Sequence, residues 1–314
     1  MSLVLSGGGD HLPSLTRERV QAAATALGYV PNRSAQRLRA KRTWTIACVL
    51  PDISNPYYPA LEQGVQEVAA AAGYDVIAVH TDGTPEQEKR LLGWGRERRV
   101  DGLVGVFFTL SGLELGVLAE NNLAVLRVEA RRKSETVLPL DNIYVDNRRA
   151  AKEATEHLIR RGHRRIAMLS VNGGPGPERA AGYAFAMAEA GLPAEMELQA
   201  SFTPEAGSAG MSSLLAGTVR PTAVFAANDL MALGAMMTLR ERGLQVPGDV
   251  AVMGFDDIEA ARWVTPALTT VNQFQRALGR VSAEMLLQRL AGLPPGTTGR
   301  QREMPFQLMI RESA

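Results

Sequence analysis

The chain has 314 residues, 46% of them hydrophobic, enough apolar material for one large core or two medium ones. Its formal charge of +1 excludes a body that binds polyanions as a whole, but residues 1–42 carry seven cations against two carboxylates, a net +5 that leaves −4 for the rest. That asymmetry reads as a basic arm on a mildly acidic body. The one cysteine, Cys48, lies in an apolar run and reads as a small core residue of a reducing compartment. No apolar run approaches the roughly 18 residues that span a bilayer, and Met1–Leu5 lacks the pattern of a signal peptide, so a cytoplasmic location is expected.

In chain order, Met1–Pro13 has little pattern. Ser14 reads as a helix cap before Thr16–Leu27, where Val20, Ala23, Ala24 and Leu27 fall at helical spacing and Gly28 closes the run. Pro31 opens a second short helix that ends in the charged run Arg39–Arg42. From Thr45 the pattern alternates. Strand-like runs are expected at Thr45–Leu50, Asp75–Val79, Gly102–Phe107, Ala124–Val128, Arg165–Leu169, Ala223–Ala226 and Val250–Gly254. Helical runs are expected at Pro59–Ala72, Pro85–Arg98, Gly112–Glu120, Arg148–Arg161, Glu178–Ala190, Ala206–Leu215, Leu230–Arg242 and Gln275–Leu290, with a last strand near Phe306–Ile310. Strands alternating with helices imply parallel sheets covered on both faces. About 270 residues of such pattern exceed one comfortable unit, so two are expected.

Open parallel sheets bind ligands beyond the carboxyl ends of their strands. Those ends carry Asp52, Ser54, Asn55, Tyr57 and Tyr58; His80, Thr81 and Asp82; Arg127 and Glu129; Ser170, Asn172 and, beyond a Gly/Pro loop, Arg179; Asn228 and Asp229; Asp256 and Asp257. Aromatic faces can pack on a ring while carboxylates and amides take hydroxyls or N–H groups, so the set suits a small polar ligand such as a sugar or nucleobase. Asp and Asn at these positions also cap helices, but caps alone require neither the aromatics nor the arginine.

An enzyme is the weaker reading. The run SVNGGPGPERAAG lacks the Lys-Ser/Thr pair of a phosphate loop and the spacing of a dinucleotide fingerprint. His157 and His163 are six residues apart, where a metal pair on one helical face prefers four. No nucleophile elbow or Cys/His constellation stands out, no cofactor or metal is called for, and Met236 and Met237 read as core.

The segments LTRERVQAAATALGYVPN, NRSAQRLRAKRTWTIACVLPDISNPYY, VDNRRAAKEATEHLIRRGHRRIAML, ERAAGY, PTAVFAANDLMALGAM, VAVMGFDDIEAARWVTPALTTV and LMIRES stand in this order. Together they resemble the LacI-type bacterial transcription repressors, over nearly all of residues 14–312. The resemblance implies two doubly wound parallel-sheet subdomains of periplasmic-binding-protein type, joined by crossover strands. Residues 1–30 would be a remnant of the helix-turn-helix and 31–43 the hinge helix. The ligand-binding and dimerisation domain would span 44–314, with an N-subdomain of about 44–145 and 274–301 and a C-subdomain of about 146–273 and 302–314. In the family the hinge helix enters the minor groove. Here that implies Asn32, Arg33, Ala35, Gln36, Leu38 and Arg39 as DNA contacts, with Leu38 the wedge and its neighbours on phosphates. The implied effector positions are Tyr57, Tyr58, Asp82, Glu129, Asp146, Arg179, Phe202, Asn228 and Asp256; for Asp146 capping is as good a reading as ligand contact.

Two departures from the family pattern stand out. Val4-Leu5-Ser6-Gly7 resembles only the tail of a recognition helix, so operator binding by this chain is expected to be weakened or lost, with weak, salt-sensitive DNA affinity and little sequence preference. The strand after Leu123 reads Arg127-Val128-Glu129 where the family has an aspartate, so no relative's ligand can be transferred. The expected function is ligand-controlled repression through a homodimer. The alternative is a sugar-binding protein without DNA output, which predicts a signal peptide and no basic hinge.

Overall fold

The computed structural model describes residues 12–27, 42–120, 123–129, 131–132, 138–293 and 297–314, with the backbone alone for Arg96 and Glu120. The DNA-contact set Asn32, Arg33, Ala35, Gln36, Leu38 and Arg39 lies outside them, as does most of the expected hinge helix.

The first helix, α1 (Ser14–Ala26), begins at Ser14 itself; Pro13 holds the cap position and no side chain caps the end. Ser14 is therefore not the cap that its residue type suggested. Next come β1 (Thr45–Leu50), α2 (Tyr57–Ala71), β2 (Asp75–His80), α3 (Pro85–Arg90), α4 (Leu92–Glu97), β3 (Gly102–Val106), α5 (Gly112–Glu120), β4 (Ala124–Glu129) and β5 (Leu140–Val145). The chain continues through α6 (Asn147–Arg160), β6 (Ile166–Val171), α7 (Gly176–Glu189), β7 (Glu195–Gln199), α8 (Pro204–Ala216), β8 (Ala223–Ala226), α9 (Asp229–Glu241) and β9 (Ala251–Met253). It ends with α10 (Ala260–Trp263), β10 (Thr270–Asn272), α11 (Gln275–Ala291), β11 (Gln301–Met304) and β12 (Gln307–Met309).

The strands form a six-stranded sheet in the order β11-β5-β4-β3-β1-β2, a four-stranded sheet in the order β7-β6-β8-β9, and an antiparallel pair of β10 with β12. Every pairing in the two larger sheets is parallel. This is an α/β architecture of two doubly wound lobes. Strand β1 shows why its sequence is apolar throughout. Ile46, Cys48 and Leu50 pack with Leu61 and Val65 of α2 and Leu278 and Leu286 of α11. Ala47 and Val49 face the other way, onto Leu91, Leu103, Leu115 and Leu118. A strand covered on both faces needs no polar alternation. Helices α2 and α11 meet backbone to backbone: a Cβ on Gly64 would stand 2.1 Å from the Arg276 carbonyl oxygen, and one on Gly279 2.0 Å from that of Leu61.

Several boundaries moved, for identifiable reasons. Helix α2 starts two residues before Pro59, because a first-turn proline lacks only an N–H that would have no partner. The single helix expected at Pro85–Arg98 is two, divided at Leu91, and the second carries Gly93 and Gly95, poor helix formers. Strands β5, β7, β10 and β11 were not expected. β7 and β11 are edge strands rich in polar residues, and β5 carries Asp141 and Asn142, both buried. Because β11 belongs to the first sheet, the chain passes to the second lobe at Pro305–Phe306, later than the 301/302 boundary expected. Met237 is exposed at 42% although Met236 beside it is buried, so only one of that pair is core.

Candidate functional site

In the first sheet the strand order reverses beside β1 and β3; in the second it reverses beside β6 and β8. Parallel sheets open a crevice at such switch points. Here the loops after these strands line one cleft of about 540 Å³ between the lobes. Tyr57, Tyr58 and Glu129 come from the first lobe, and Arg179, Phe202, Asn228 and Asp256 from the second. Seven of the nine expected effector residues are thus brought together. Asp82 and Asp146 are not. Asp82 is exposed and pairs with His80 at 3.2 Å. Asp146 caps α6, its carboxylate accepting from the Arg149 N–H at 3.0 Å, so capping is the role its geometry gives.

The second-lobe wall centres on Arg179, which is 4% exposed. Its Nε donates to Asn147 Oδ1 at 2.7 Å, one Nη to the Ala227 carbonyl and the other to Asp256 Oδ1 at 3.3 Å, and the guanidinium lies 3.7 Å from the centre of the Phe255 ring. Burying a cation requires such complete pairing. Asn228 caps α9 through Oδ1, accepting from the Met231 N–H at 2.9 Å, while its Nδ2 donates to the Phe202 carbonyl at 3.1 Å and so ties the Phe202 loop to the cleft.

Opposite, Tyr57 and Tyr58 pack edge to face with ring centres 5.1 Å apart. Burial pushes both phenols up, so they remain neutral. Arg127 and Glu129, two apart and therefore on one face of β4, form an ion pair of 2.5 Å. Arg127 also donates from Nε and Nη to Asn142 Oδ1, at 3.1 and 3.0 Å. The residues missed by sequence reasoning include Phe107, Phe108, Asn147 and Gln273. The rule of looking past each strand end reaches Phe107 and Phe108, which follow β3. Gln273 carries no such signal; it reaches the cleft on a crossing between lobes and donates to Asp256 at 2.7 Å.

Behind Asp256 lies a second buried carboxyl, Asp229, which takes the Thr270 hydroxyl at 2.5 Å and the Ile258 N–H at 2.8 Å. Burial, together with the neighbouring Asp256, pushes Asp229 up to about 7. Burial pushes Asp256 up to about 6 against the opposing pull of Arg179. Because the folded state binds these protons more tightly than the unfolded chain, stability falls as pH rises from about 4 toward about 7. The second-lobe unfolding midpoint in urea is therefore expected to drop across that window. Asp229→Asn should flatten the slope, because an amide can accept from Ile258 and donate to the Thr270 oxygen. An unaltered slope in Asp229→Asn would assign it to other groups.

Residues 155–314 match the model of the periplasmic binding protein-like domain. The transcriptional repressor CytR of Escherichia coli (strain K12) is 31% identical over 313 residues, 97% of this chain and 89% of that protein. The chain belongs to the LacI family of transcription regulators. Among solved structures, the lac repressor dimer bound to operator and the anti-inducer ONPF superposes with a TM-score of 0.86 at 27% identity, covering 99% of this chain and 93% of that one. The complex of the regulator CelR with cellobiose gives a TM-score of 0.77 at 31% identity, with 100% and 94% coverage. The LacI-family fold accounts for the two lobes, and the curated relatives are transcriptional regulators. Among the described residues no helix is long and apolar enough to cross a membrane, and no group of three or more His, Cys, Asp or Glu residues could hold a metal ion.

Proposed function

We propose that this chain is a cytoplasmic, ligand-responsive transcriptional repressor whose interlobe cleft binds a small uncharged polar effector, a sugar or nucleobase-like molecule. The observation that carries the reading is the charge balance of the cleft. Arg127 stands against Glu129 and Arg179 against Asp256, so each wall holds one compensated ion pair. Tyr57, Tyr58 and Phe202 offer ring faces, and Asn55, Asn147, Asn228 and Gln273 offer amides. An anion entering this cleft would lose its hydration without gaining an uncommitted cation. Neutral hydroxyl-bearing rings fit that chemistry. CelR, with cellobiose in its structure, is a relative in the same class.

The test is calorimetry with cellobiose, ribose, free nucleobases and nucleosides, and the phosphate esters of the same sugars. A neutral member should bind, and its phosphate ester should bind at least about 100-fold more weakly, the ~2.7 kcal/mol scale of an uncompensated polar burial. Preferential binding of the phosphate ester would overturn the charge argument.

For output, residues 31–43 serve as the hinge to operator DNA, with Leu38 as wedge and Asn32, Arg33, Ala35, Gln36 and Arg39 around it. A homodimer is the working unit. In support, Met237 and Trp263 are exposed beside an apolar groove formed by Leu233, Met236, Val264 and Pro266, and the lac repressor at the highest fold similarity quoted above is a dimer. A ligand changes operator affinity only through its differential affinity for the open and closed lobes. Sedimentation of the chain, alone and with Met237→Glu, tests the dimer; a monomer at micromolar wild-type concentration would remove it.

A further inference from the structure

One carboxylate with no place among the expected ligand contacts is Glu88, on α3. It is fully buried. Its Oε1 accepts from the Phe108 N–H at 2.7 Å. Its Oε2 accepts from the Thr109 N–H at 2.9 Å, the Thr109 hydroxyl at 2.7 Å and the Leu110 N–H at 2.9 Å. All four donors come from one short loop, between β3 and α5, and that loop is a wall of the cleft. A buried anion held only by loop N–H and O–H groups makes the loop conformation and the carboxylate mutually dependent.

The loop presents Phe108 to the opposite lobe. A Cβ on Gly174, in the turn after β6, would stand 2.7 Å from Phe108 Cζ and 2.8 Å from Cε1. On the other side of the ring, a Cβ on Gly83, in the turn after β2, would stand 2.8 Å from Cδ2. Both glycines have positive φ, +53° and +59°, so each turn favours glycine twice over: for its backbone and for the ring it admits. The ring is therefore gripped between a first-lobe turn and a second-lobe turn, across the mouth of the cleft.

We infer that Phe108 is a clasp between the lobes and that Glu88 is its positioning residue, setting the population of the closed cleft. The inference deepens the reading of this cleft as the effector site and rests on it for its biological meaning. The clasp itself is read without any ligand, so its failure and the failure of that reading are separate results.

The experiment measures interlobe distance by spin labelling of the full chain at Ala72→Cys and Ala190→Cys, exposed positions at the far ends of α2 and α7. Labelled protein is diluted with unlabelled protein so that only distances within one chain are read. Cys48 is fully buried and burial pushes its thiol up, so it stays unlabelled. The clasped chain should give one narrow distance. Phe108→Ala should broaden and lengthen it. Glu88→Gln, which removes the charge and sets an N–H₂ against at least the Phe108 N–H, should do the same. Combined, the two changes should add nothing beyond Phe108→Ala alone, which a purely structural role for Glu88 would not produce. Thr109→Val, which withdraws a single donor, should give a smaller change in the same direction and stands in if Glu88→Gln folds poorly. A wild-type distance retained in Phe108→Ala would overturn the clasp. A lowered thermal midpoint in Glu88→Gln or Thr109→Val with an unmoved distance would reduce Glu88 to a structural residue.

Discussion

Arg179→Ala is expected to weaken effector binding by about 2–5 kcal/mol, the cost of removing one partner from a buried, hydrogen-bonded charge pair. At about 1.4 kcal/mol per tenfold, that is a loss of roughly 30-fold to a few thousandfold. The substitution strands three acceptors at once: Asn147 Oδ1, the Ala227 carbonyl and Asp256 Oδ1. It also removes the cation that holds Asp256 down against burial, so Asp256 rises further and turns from acceptor to donor near neutral pH. Arg179→Lys should recover little, because an ammonium cannot reach three acceptors in one plane or lie flat on Phe255. The measurement is calorimetry with whichever neutral ligand binds the wild type. Equal affinity in Arg179→Ala would take this residue, and with it the second-lobe wall, out of the site.

The second large effect lies away from the cleft. Asp141 is fully buried on β5 and holds together three pieces of the first lobe. Its carboxylate receives Arg289 of α11 at 2.6 and 2.9 Å, and the Arg300 backbone N–H and Nη at 2.8 and 2.7 Å, just before β11. Burial opposes the charge, but the hydrogen bonds from Arg289 and Arg300 outweigh it and hold the carboxyl below its ordinary value. Asp141→Ala should cost about 3 kcal/mol, the lower end for a broken buried pair, because Arg300 can turn partly to water. Urea unfolding of the first lobe reads this. In the wild type the contribution is present above the ordinary carboxylate range and fades as pH falls through the lowered value. A variant as stable as wild type would mean that α11 and β11 are held by apolar packing alone.

What could be read without coordinates follows from short-range physics. The central strands were legible because a strand covered on both faces is an uninterrupted apolar run: Thr45–Leu50 and Ala223–Ala226 stand where the pattern put them. The helices were legible from their periodicity, and Tyr57, Arg179, Asn228 and Asp256 from their place just past strand ends. The polar strands were not. β7 and β11 lie at sheet edges, where only one side needs a partner, so their sequences carry no strand pattern. Asp141 lies buried in β5 because cations from far along the chain meet it there, and Asn142 because Arg127 of the neighbouring strand does; pairs made across strands carry no signal in the local pattern.

The same division runs through the cleft. The sequence by itself determined which residue types stand at the strand ends, and hence that this chain binds something small and polar if it binds at those ends. It also determined the order of motifs that marks a LacI-family member. Only the tertiary structure decided which of those ends converge. Asp82 and Asp146 sit at strand ends as Tyr57 and Arg179 do, yet one turns to solvent beside His80 and the other is consumed in capping α6. Position along a strand is local, whereas convergence depends on where the order of two sheets reverses and how one lobe faces the other. The meeting of Phe108 with Gly174 owes itself to that facing, and the hold of Glu88 on the Phe108 loop to packing within the first lobe; the partners are about 66 and 20 residues apart in the chain.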